Sequence, residues 1–248
     1  MWERLYYRYF LIAVVILFVL SSLGTVDGAE ILWSMKDKGI PDELQTYKDG
    51  LRLLLGRQYK KAEKKFQDLM ISYPFSQKSM KGEVMLAYTY LLTKNYDNLV
   101  QTSENFINNY PFSNEYSVYM HYLKALGYYR QMLIRNRDNK SVLEAYMVMK
   151  GFLESFEYTD YAKDIDEKLL VVKDFLAKHE YEIGYFYYNN NNCIAAMNRF
   201  LGVLRKYPTR YSKPSLVGII DCYKRIGNVG TAEQYTALYE YNYGSAYQ

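Results

Sequence analysis

Residues 50–74, GLRLLLGRQYKKAEKKFQDLMISYP, carry two small residues, an aromatic residue and a proline at fixed spacings. The four positions, separated by 12, 4 and 8 residues, are Gly50, Ala62, Phe66 and Pro74. All three spacings recur far along the chain at Gly184, Ala196, Phe200 and Pro208. Small residues allow two antiparallel helices to approach closely, an aromatic ring fills the space between them, and proline ends the second helix. The pattern therefore predicts a repeated helical hairpin.

Another copy lies directly after the first. Tyr73-Pro74-Phe75-Ser76 recurs 37 residues later as Tyr110-Pro111-Phe112-Ser113. This order of residues is typical of the tetratricopeptide repeat, in which each pair of helices stacks on the next. We therefore predict an all-α protein, a right-handed α-α superhelix (a solenoid) of about five tetratricopeptide-like helix pairs. In such a superhelix the first helix of each pair lines the concave face.

Helical periodicity and polar turns divide the chain into these pairs. In order, they are predicted to cover about 42–72, 76–108, a segment from 113, a segment from 160, and 211–241. The whole chain then divides into an export signal or signal anchor at 1–28, a linker at 29–41, the repeat domain at 42–242 and a C-terminal tail at 243–248.

Two of the pairs depart from the regular pattern. The third has a stretched polar turn at 135–140, after which Ser141-Val142-Leu143-Glu144 is predicted to be a capping box. The fourth opens with a continuous amphipathic run from about Asp160, which predicts a helix of about 29 residues. His179 falls on the apolar stripe of that run and is interpreted as a core histidine.

The N-terminal segment has the layout of an export signal. Arg4 and Arg8 precede an unbroken apolar run from residue 10 to 20, and small residues follow at Ser22 and Gly24. The run is shorter than the roughly 20 residues of a bilayer span, so cleavage and retention as an anchor both stay open. A lipoprotein signal would need a cysteine directly after the run, and the sequence has none there.

Composition and charge argue against several classes of function. The net charge is only +4, with basic residues scattered among acidic ones, which does not favour nucleic-acid binding. The two histidines, His121 and His179, offer little general-base capacity, and no second metal ligand follows His179 at the spacing of a zinc-protease helix. We therefore predict no enzyme activity, no cofactor and no metal site. Cys193 and Cys222 either pair in an exported chain or remain buried thiols.

Aromatic residues dominate the positions predicted to face the groove, in a chain with 30 tyrosines and 2 tryptophans. When the first helices are aligned on their small residues, the positions predicted to face inward are Tyr47, Leu51, Val84, Tyr88, Tyr181, Tyr185 and Tyr188. Repeat proteins that clamp a free carboxylate carry lysine and asparagine there instead. The groove is therefore expected to favour an extended or amphipathic segment with apolar side chains, unless individual tyrosines serve only to pack one repeat on the next.

Several motifs resemble those of the BamD family of outer-membrane assembly factors. Besides the two Tyr-Pro-Phe-Ser corners, they are Leu86-Ala87-Tyr88, Arg137-Asp138, Ala177-Lys178-His179-Glu180, Gly184-Tyr185-Phe186-Tyr187-Tyr188 and Ala195-Ala196-Met197-Asn198-Arg199. The resemblance covers about Leu44 to Asn242. It implies a periplasmic scaffold, without catalytic activity, at the inner face of a Gram-negative outer membrane.

The resemblance also implies partners and site residues. The C-terminal repeats are expected to bind a β-barrel insertase through its POTRA domains, and the N-terminal repeats to bind unfolded outer-membrane clients, with other assembly-complex subunits as further partners. The implied insertase-binding residues are Tyr185, Tyr188, Asn198 and Arg199. The implied client-binding residues are Tyr47, Tyr88, Tyr110 and Phe112.

Two questions stay open after the resemblance. Family members are normally lipoproteins, so the missing cysteine leaves the mode of membrane attachment undecided. The alternative function is a periplasmic tetratricopeptide adaptor for envelope constriction or peptidoglycan machinery. Such adaptors usually add a coiled coil, and this sequence has no sustained heptad region.

Overall fold

The computed structural model describes residues 42–74, 76–110, 115–135 and 138–244, in which helices are joined by short turns. In chain order the helices of this part are α1 (Glu43–Leu55), α2 (Tyr59–Ser72), α3 (Gln77–Leu92), α4 (Tyr96–Asn109), α5 (Ser117–Ile134), α6 (Asn139–Phe156), α7 (Ala162–Asn189), α8 (Cys193–Lys206), α9 (Ser212–Arg225) and α10 (Val229–Tyr243). The predicted all-α superhelix of tetratricopeptide-like helix pairs is confirmed. The predicted export signal and linker lie outside the described residues.

The helices stack in a regular order. Each helix packs against the next one along the chain, and the first helix of each pair also contacts the first helix of the following pair: α1 with α3, α3 with α5, α5 with α7, and α7 with α9. Within the described ranges no two second helices contact one another. First helices therefore lie closer together than second helices, and the stack curves with the first helices on its inner face.

One turn geometry recurs between the helices of four pairs. The middle residue of each three-residue turn has a positive φ, at Arg57, Lys94, Asn191 and Gly227. The residue after it donates its backbone N–H to a carbonyl five residues back, as Gln58 does to Leu53 at 2.9 Å. In three of these turns that residue is asparagine, whose side chain accepts the N–H three residues on and begins the second helix.

The third turn does not follow this geometry, and the predicted capping box at Ser141 is wrong. Helix α6 begins earlier, at Asn139, and its cap is Asp138. The Asp138 carboxylate accepts the backbone N–H of Ser141 at 3.0 Å and its hydroxyl at 2.6 Å. Aspartate is a favourable cap because its charge also interacts with the positive end of the helix dipole.

Helix α7 has 28 residues and belongs to two parts of the core. Ile165, Leu169, Val172 and Leu176 pack with α5 and α6, whereas Tyr181, Tyr187 and Tyr188 pack with α8 and α9. The buried stripe moves by one residue between these halves, from Leu176 to Ala177 and then Gly184. His179 falls off the stripe at this change and is exposed, so its interpretation as a core histidine is wrong.

The repeated small and aromatic residues bring helices together as their spacing predicts. Phe200 of α8 is fully buried, and a Cβ placed on Gly184 of α7 would lie 2.7 Å from its ring. A Cβ placed on Gly218 of α9 would lie 2.5 Å from the other edge of the same ring. Phe66 approaches Gly50 in the same way at 2.6 Å. Each ring therefore occupies space that only a glycine leaves free.

Gly184→Ala is expected to lower the free energy of unfolding by about 1–3 kcal/mol, because the Phe200 ring is held by Gly218 and cannot retreat from the added methyl. Gly151→Ala in α6 is the matched control, since nothing lies within 4 Å of its Cβ position. That change should stabilise the protein by about 0.5–1 kcal/mol through helix propensity. Urea titration followed by circular dichroism measures both values. Equal effects of the two substitutions would contradict the close approach at Gly184.

Candidate interaction surfaces

The first predicted surface begins at Tyr47 on α1. Tyr47 is half-buried, its ring lies 6.3 Å from that of Phe66, and Lys78 of α3 lies 5.9 Å from the Tyr47 ring centroid. Burial raises the pKa of Tyr47, and the nearby Lys81 opposes that rise. Lys81 also lies 5.9 Å over the ring of Tyr116 at the start of α5. Two tyrosines and two lysines thus lie near the N-terminal ends of three successive first helices.

Tyr88 lies farther along α3, half-buried and packed against the N-terminal core. It lies close to Tyr119 of α5, whose pKa is raised to about 12 by burial first and by Tyr88 and Tyr161 next. Tyr161, before α7, stacks on Tyr122 at 4.6 Å and lies 5.7 Å from Tyr119. Tyr119, Tyr122 and Tyr161 form a tyrosine cluster that the sequence interpretation missed. Tyr119 and Tyr122 lie on a first helix and Tyr161 directly precedes one, so the excess of tyrosine in these segments was the signal that could have found them.

Tyr110 ends α4 and packs its ring 4.7 Å from Phe106. Its pKa is raised by burial and by the nearby carboxyl of Glu83 on α3. Glu83 is itself only 5 % exposed, and burial raises its pKa to about 7. Phe112, the fourth predicted client-binding residue, lies outside the described residues.

The structure corrects the predicted position of Val84 in the groove. It was expected to face inward, but it is 1 % exposed and belongs to the core. The reason is that α3 is enclosed by four other helices: α1, α2, α4 and α5. Only a narrow stripe of a helix packed in this way remains free, and in α3 that stripe does not include Val84.

The C-terminal part of the inner face carries a cavity of about 520 Å³ between α7 and α9. Three tyrosines one turn apart form one wall, with Tyr181 stacked on Tyr185 at 6.0 Å and Tyr185 on Tyr188 at 6.1 Å. The opposite wall is formed by Lys213, Pro214, Val217, Gly218 and Asp221. Tyr185 is the most accessible of the three rings, at 49 % exposed. An aromatic ledge beside a charged rim suits contact with another protein chain.

Tyr188 is held in place by charged neighbours on α9. Its hydroxyl donates to Asp221 and accepts from Arg225, whose guanidinium lies 4.2 Å from the ring centroid. Arg225 also pairs with Asp221 at 2.8 Å. The hydrogen bond to Asp221 and burial raise the pKa of Tyr188 to about 12. The Tyr188 hydroxyl is thus already hydrogen-bonded within the molecule, which leaves the ring for contact with a partner.

Arg199 and Asn198 lie on α8 in a different cavity, of about 390 Å³. Arg199 pairs with Glu180 of α7 at 3.1 Å, and both side chains remain partly exposed. The remaining wall consists of Tyr187, Ala195, Gly202, Lys206 and Tyr207. The structure therefore divides the four predicted insertase-binding residues between two cavities on neighbouring stripes of α7. The sequence could not separate them because its motifs run continuously through both.

None of the helices within residues 42–74, 76–110, 115–135 and 138–244 combines the length and the apolar character of a membrane span. The same residues contain no group of three or more His, Cys, Asp or Glu side chains placed to hold a metal ion.

Comparison with known proteins gives one consistent result. Residues 41–238 match the family model YfiO, described as an outer membrane lipoprotein. The chain is 34% identical over 198 residues to the outer membrane protein assembly factor BamD of Rickettsia prowazekii, covering 79% of this chain and 78% of the relative. It is 27% identical to the BamD of Pasteurella multocida, covering 86% and 85%.

A similar solved structure is a thermophilic TPR protein of Thermus thermophilus. It is 15% identical, with a TM-score of 0.39, over 80% of this chain and 90% of that one. The family model begins after the N-terminal apolar run, so the export signal stays a prediction. The matched segment spans all ten described helices except the last five residues of α10. The chain therefore belongs to the BamD (YfiO) family of outer-membrane protein assembly factors, and its role is in outer-membrane protein assembly.

Proposed function

We propose that the chain is a periplasmic scaffold of the β-barrel assembly complex. Its C-terminal helix pairs bind the POTRA domains of the insertase, and its N-terminal first helices receive unfolded outer-membrane clients. The periplasmic face of the outer membrane is the proposed location. The family membership supports the complex, and the different chemistry of the C-terminal and N-terminal surfaces supports the division of labour.

The observation that carries the proposal is the arrangement around Arg199. Its guanidinium is oriented by Glu180 at 3.1 Å but stays accessible at the mouth of a cavity. Lys206 adds a second positive charge, and Asn198 adds amide donors and an acceptor. A guanidinium held in this way is prepared for a carboxylate or backbone carbonyl of a partner, since it has further N–H donors beyond those used by Glu180.

The client surface has a different chemistry. Tyr47, Tyr88 and Tyr110 each bury part of a ring and leave part accessible on the N-terminal helices. Lys78 and Lys81 lie beside these rings. Aromatic bodies with polar edges can hold many apolar segments in turn without demanding one sequence, which is what a receiver of different unfolded chains requires. We therefore place clients at this end of the superhelix.

Arg199→Glu is expected to weaken binding of the POTRA domains about tenfold or more. The change reverses the charge at the contact and places a second carboxylate beside Glu180. Because the native ion pair is on the surface, folding should change by less than about 1 kcal/mol. The measurement is isothermal titration of the purified protein with the POTRA domains of its insertase.

Two matched variants accompany this test. Arg205→Glu makes the same charge change at an exposed position of the same helix, outside the cavity, and should leave binding nearly unchanged. The double change Arg199→Glu with Glu180→Arg restores the internal ion pair and should still bind weakly. Full recovery in the double variant would show that Arg199 acts only through the fold and would contradict the proposed contact. Recovery of peptidoglycan-machinery proteins without a barrel insertase from detergent extracts would favour the alternative adaptor function instead.

A further inference from the structure

Cys193 and Cys222 are brought together by the packing of two neighbouring helices. Cys193 is the first residue of α8, and Cys222 lies in the last turns of α9. Both are free thiols in the structure, 7 % and 0 % exposed, and both belong to the same apolar cluster as Ala196, Phe200 and Ile219. The sequence left buried thiols and a disulfide as alternatives, and the structure shows two buried thiols in one cluster.

The two thiols interact directly. Burial raises the pKa of Cys222 to about 12, and a hydrogen bond and electrostatic contact with Cys193 add to that rise. Among the described groups, Arg225 opposes the rise and Asp221 adds to it. Cys222 is therefore a neutral thiol at neutral pH.

Only one of the two thiols borders an opening to the outside. A cavity of about 490 Å³ lies over the turn between α7 and α8, and its wall includes Asn191, Asn192, Cys193, Ile194, Arg225 and Ile226. Cys222 does not line this cavity and is fully buried. An oxidant that enters it meets Cys193 first.

We propose that Cys193 and Cys222 are a disulfide-forming pair that ties α8 to α9 when the protein meets a disulfide oxidant. The proposal rests on the proposed periplasmic location, because that compartment is oxidising. In the first step Cys193 loses its proton and its sulfur attacks one sulfur of the oxidant's disulfide, which releases one thiol after proton uptake. In the second step Cys222 loses its proton and attacks the Cys193 sulfur, which releases the second thiol. Two cysteine thiols are oxidised and one oxidant disulfide is reduced.

The bond would stabilise the end of the superhelix that we assign to the insertase. Cys222 is next to Asp221, which holds Tyr188 together with Arg225. Fixing α9 against α8 therefore restrains the wall of the aromatic cavity that α9 forms. The bond would also close the segment from Cys193 to Cys222 in the unfolded chain and reduce its conformational entropy.

The test uses the purified, folded full chain exposed to oxidised glutathione. Both free thiols should disappear without loss of helicity, the intact mass should fall by two hydrogen atoms, and the melting temperature should rise by about 5 °C or more. Retention of both thiols in the folded chain, while the urea-unfolded chain is oxidised, would overturn the proposal.

Single variants test the order of the two steps. Cys222→Ala should accumulate one glutathionyl group on Cys193, because no resolving thiol is present. Cys193→Ala should remain unmodified, because Cys222 is enclosed. Equal modification of the two single variants would exclude Cys193 as the entry point. These readouts need no partner, so a failed POTRA-binding experiment and a failed oxidation experiment remain distinguishable.

Discussion

Phe200→Ala is expected to lower the free energy of unfolding by about 4 kcal/mol, in the range found when a fully buried aromatic ring is removed. The Phe200 ring is 1 % exposed and lies between Gly184 of α7 and Gly218 of α9. Neither glycine has a side chain that could fill the space left behind. The backbones of α7 and α9 would have to move to close the cavity, and the core on either side resists such movement.

The loss is expected to be local, since a stacked repeat protein transmits stability mainly between neighbours. Hydrogen exchange should therefore show lost protection in α7 to α10 and retained protection in α1 to α4. The matched control is Phe186→Ala on α7, whose ring is 64 % exposed and whose removal should cost less than about 1 kcal/mol. Similar losses for the two phenylalanines, measured by urea titration, would contradict the position assigned to Phe200.

Glu83→Gln should stabilise the protein by up to about 3 kcal/mol at pH 8 and have little effect at pH 4. Glu83 is buried where α3 is enclosed by four helices, and burial raises the pKa of its carboxyl from 4.5 to about 7. The folded protein therefore holds the Glu83 proton more tightly than the unfolded chain does. Stability from this group is fully present below about pH 4.5 and is lost as the pH rises through 7. Glutamine resembles the protonated form and avoids the cost of burying a charge.

The measurement is the free energy of unfolding from urea titrations at half-unit steps between pH 4 and pH 8. The wild-type curve should fall across this range relative to that of Glu83→Gln. Glu167→Gln on the exposed side of α7 is the control and should run parallel to the wild type. Parallel curves for Glu83→Gln and the wild type would show that the Glu83 carboxyl is solvated in the folded protein.

The helix pairs and their turns could be predicted from the sequence because their signals are local. A turn followed by an asparagine cap involves only a few adjacent residues, so the turn at 93–95 can be recognised from the sequence alone. Positive φ values at Arg57, Lys94 and Asn191 were not visible, since only the fourth equivalent position, Gly227, is a glycine. At Arg57 and Lys94 the tertiary packing of the pair imposes the turn on residues that do not prefer it, whereas asparagine adopts this conformation more readily.

The sequence predicted which types of residue line the candidate surfaces, but not which of these residues lie together. The excess of tyrosine on first helices indicated an aromatic inner face, and Tyr47, Tyr88 and Tyr185 are all partly accessible there. The hydrogen bond from the Tyr188 hydroxyl to Asp221 joins residues 33 positions apart, and no sequence motif covers both residues. The separation of Arg199 from Tyr185 likewise depends on which helix packs against each stripe of α7.

The sequence by itself determined the repeat, the helix pairs and the family, because recurring spacings of small, aromatic and proline residues act within one hairpin. Only the tertiary structure decided which side chains are free. Val84 is buried because α3 is enclosed by four helices, and His179 is exposed because the buried stripe of α7 shifts where its partners change. It also decided that Cys193 and Cys222 meet. Exposure and contact depend on neighbours that are distant along the chain, and a periodic pattern describes one helix without specifying what packs against each of its sides.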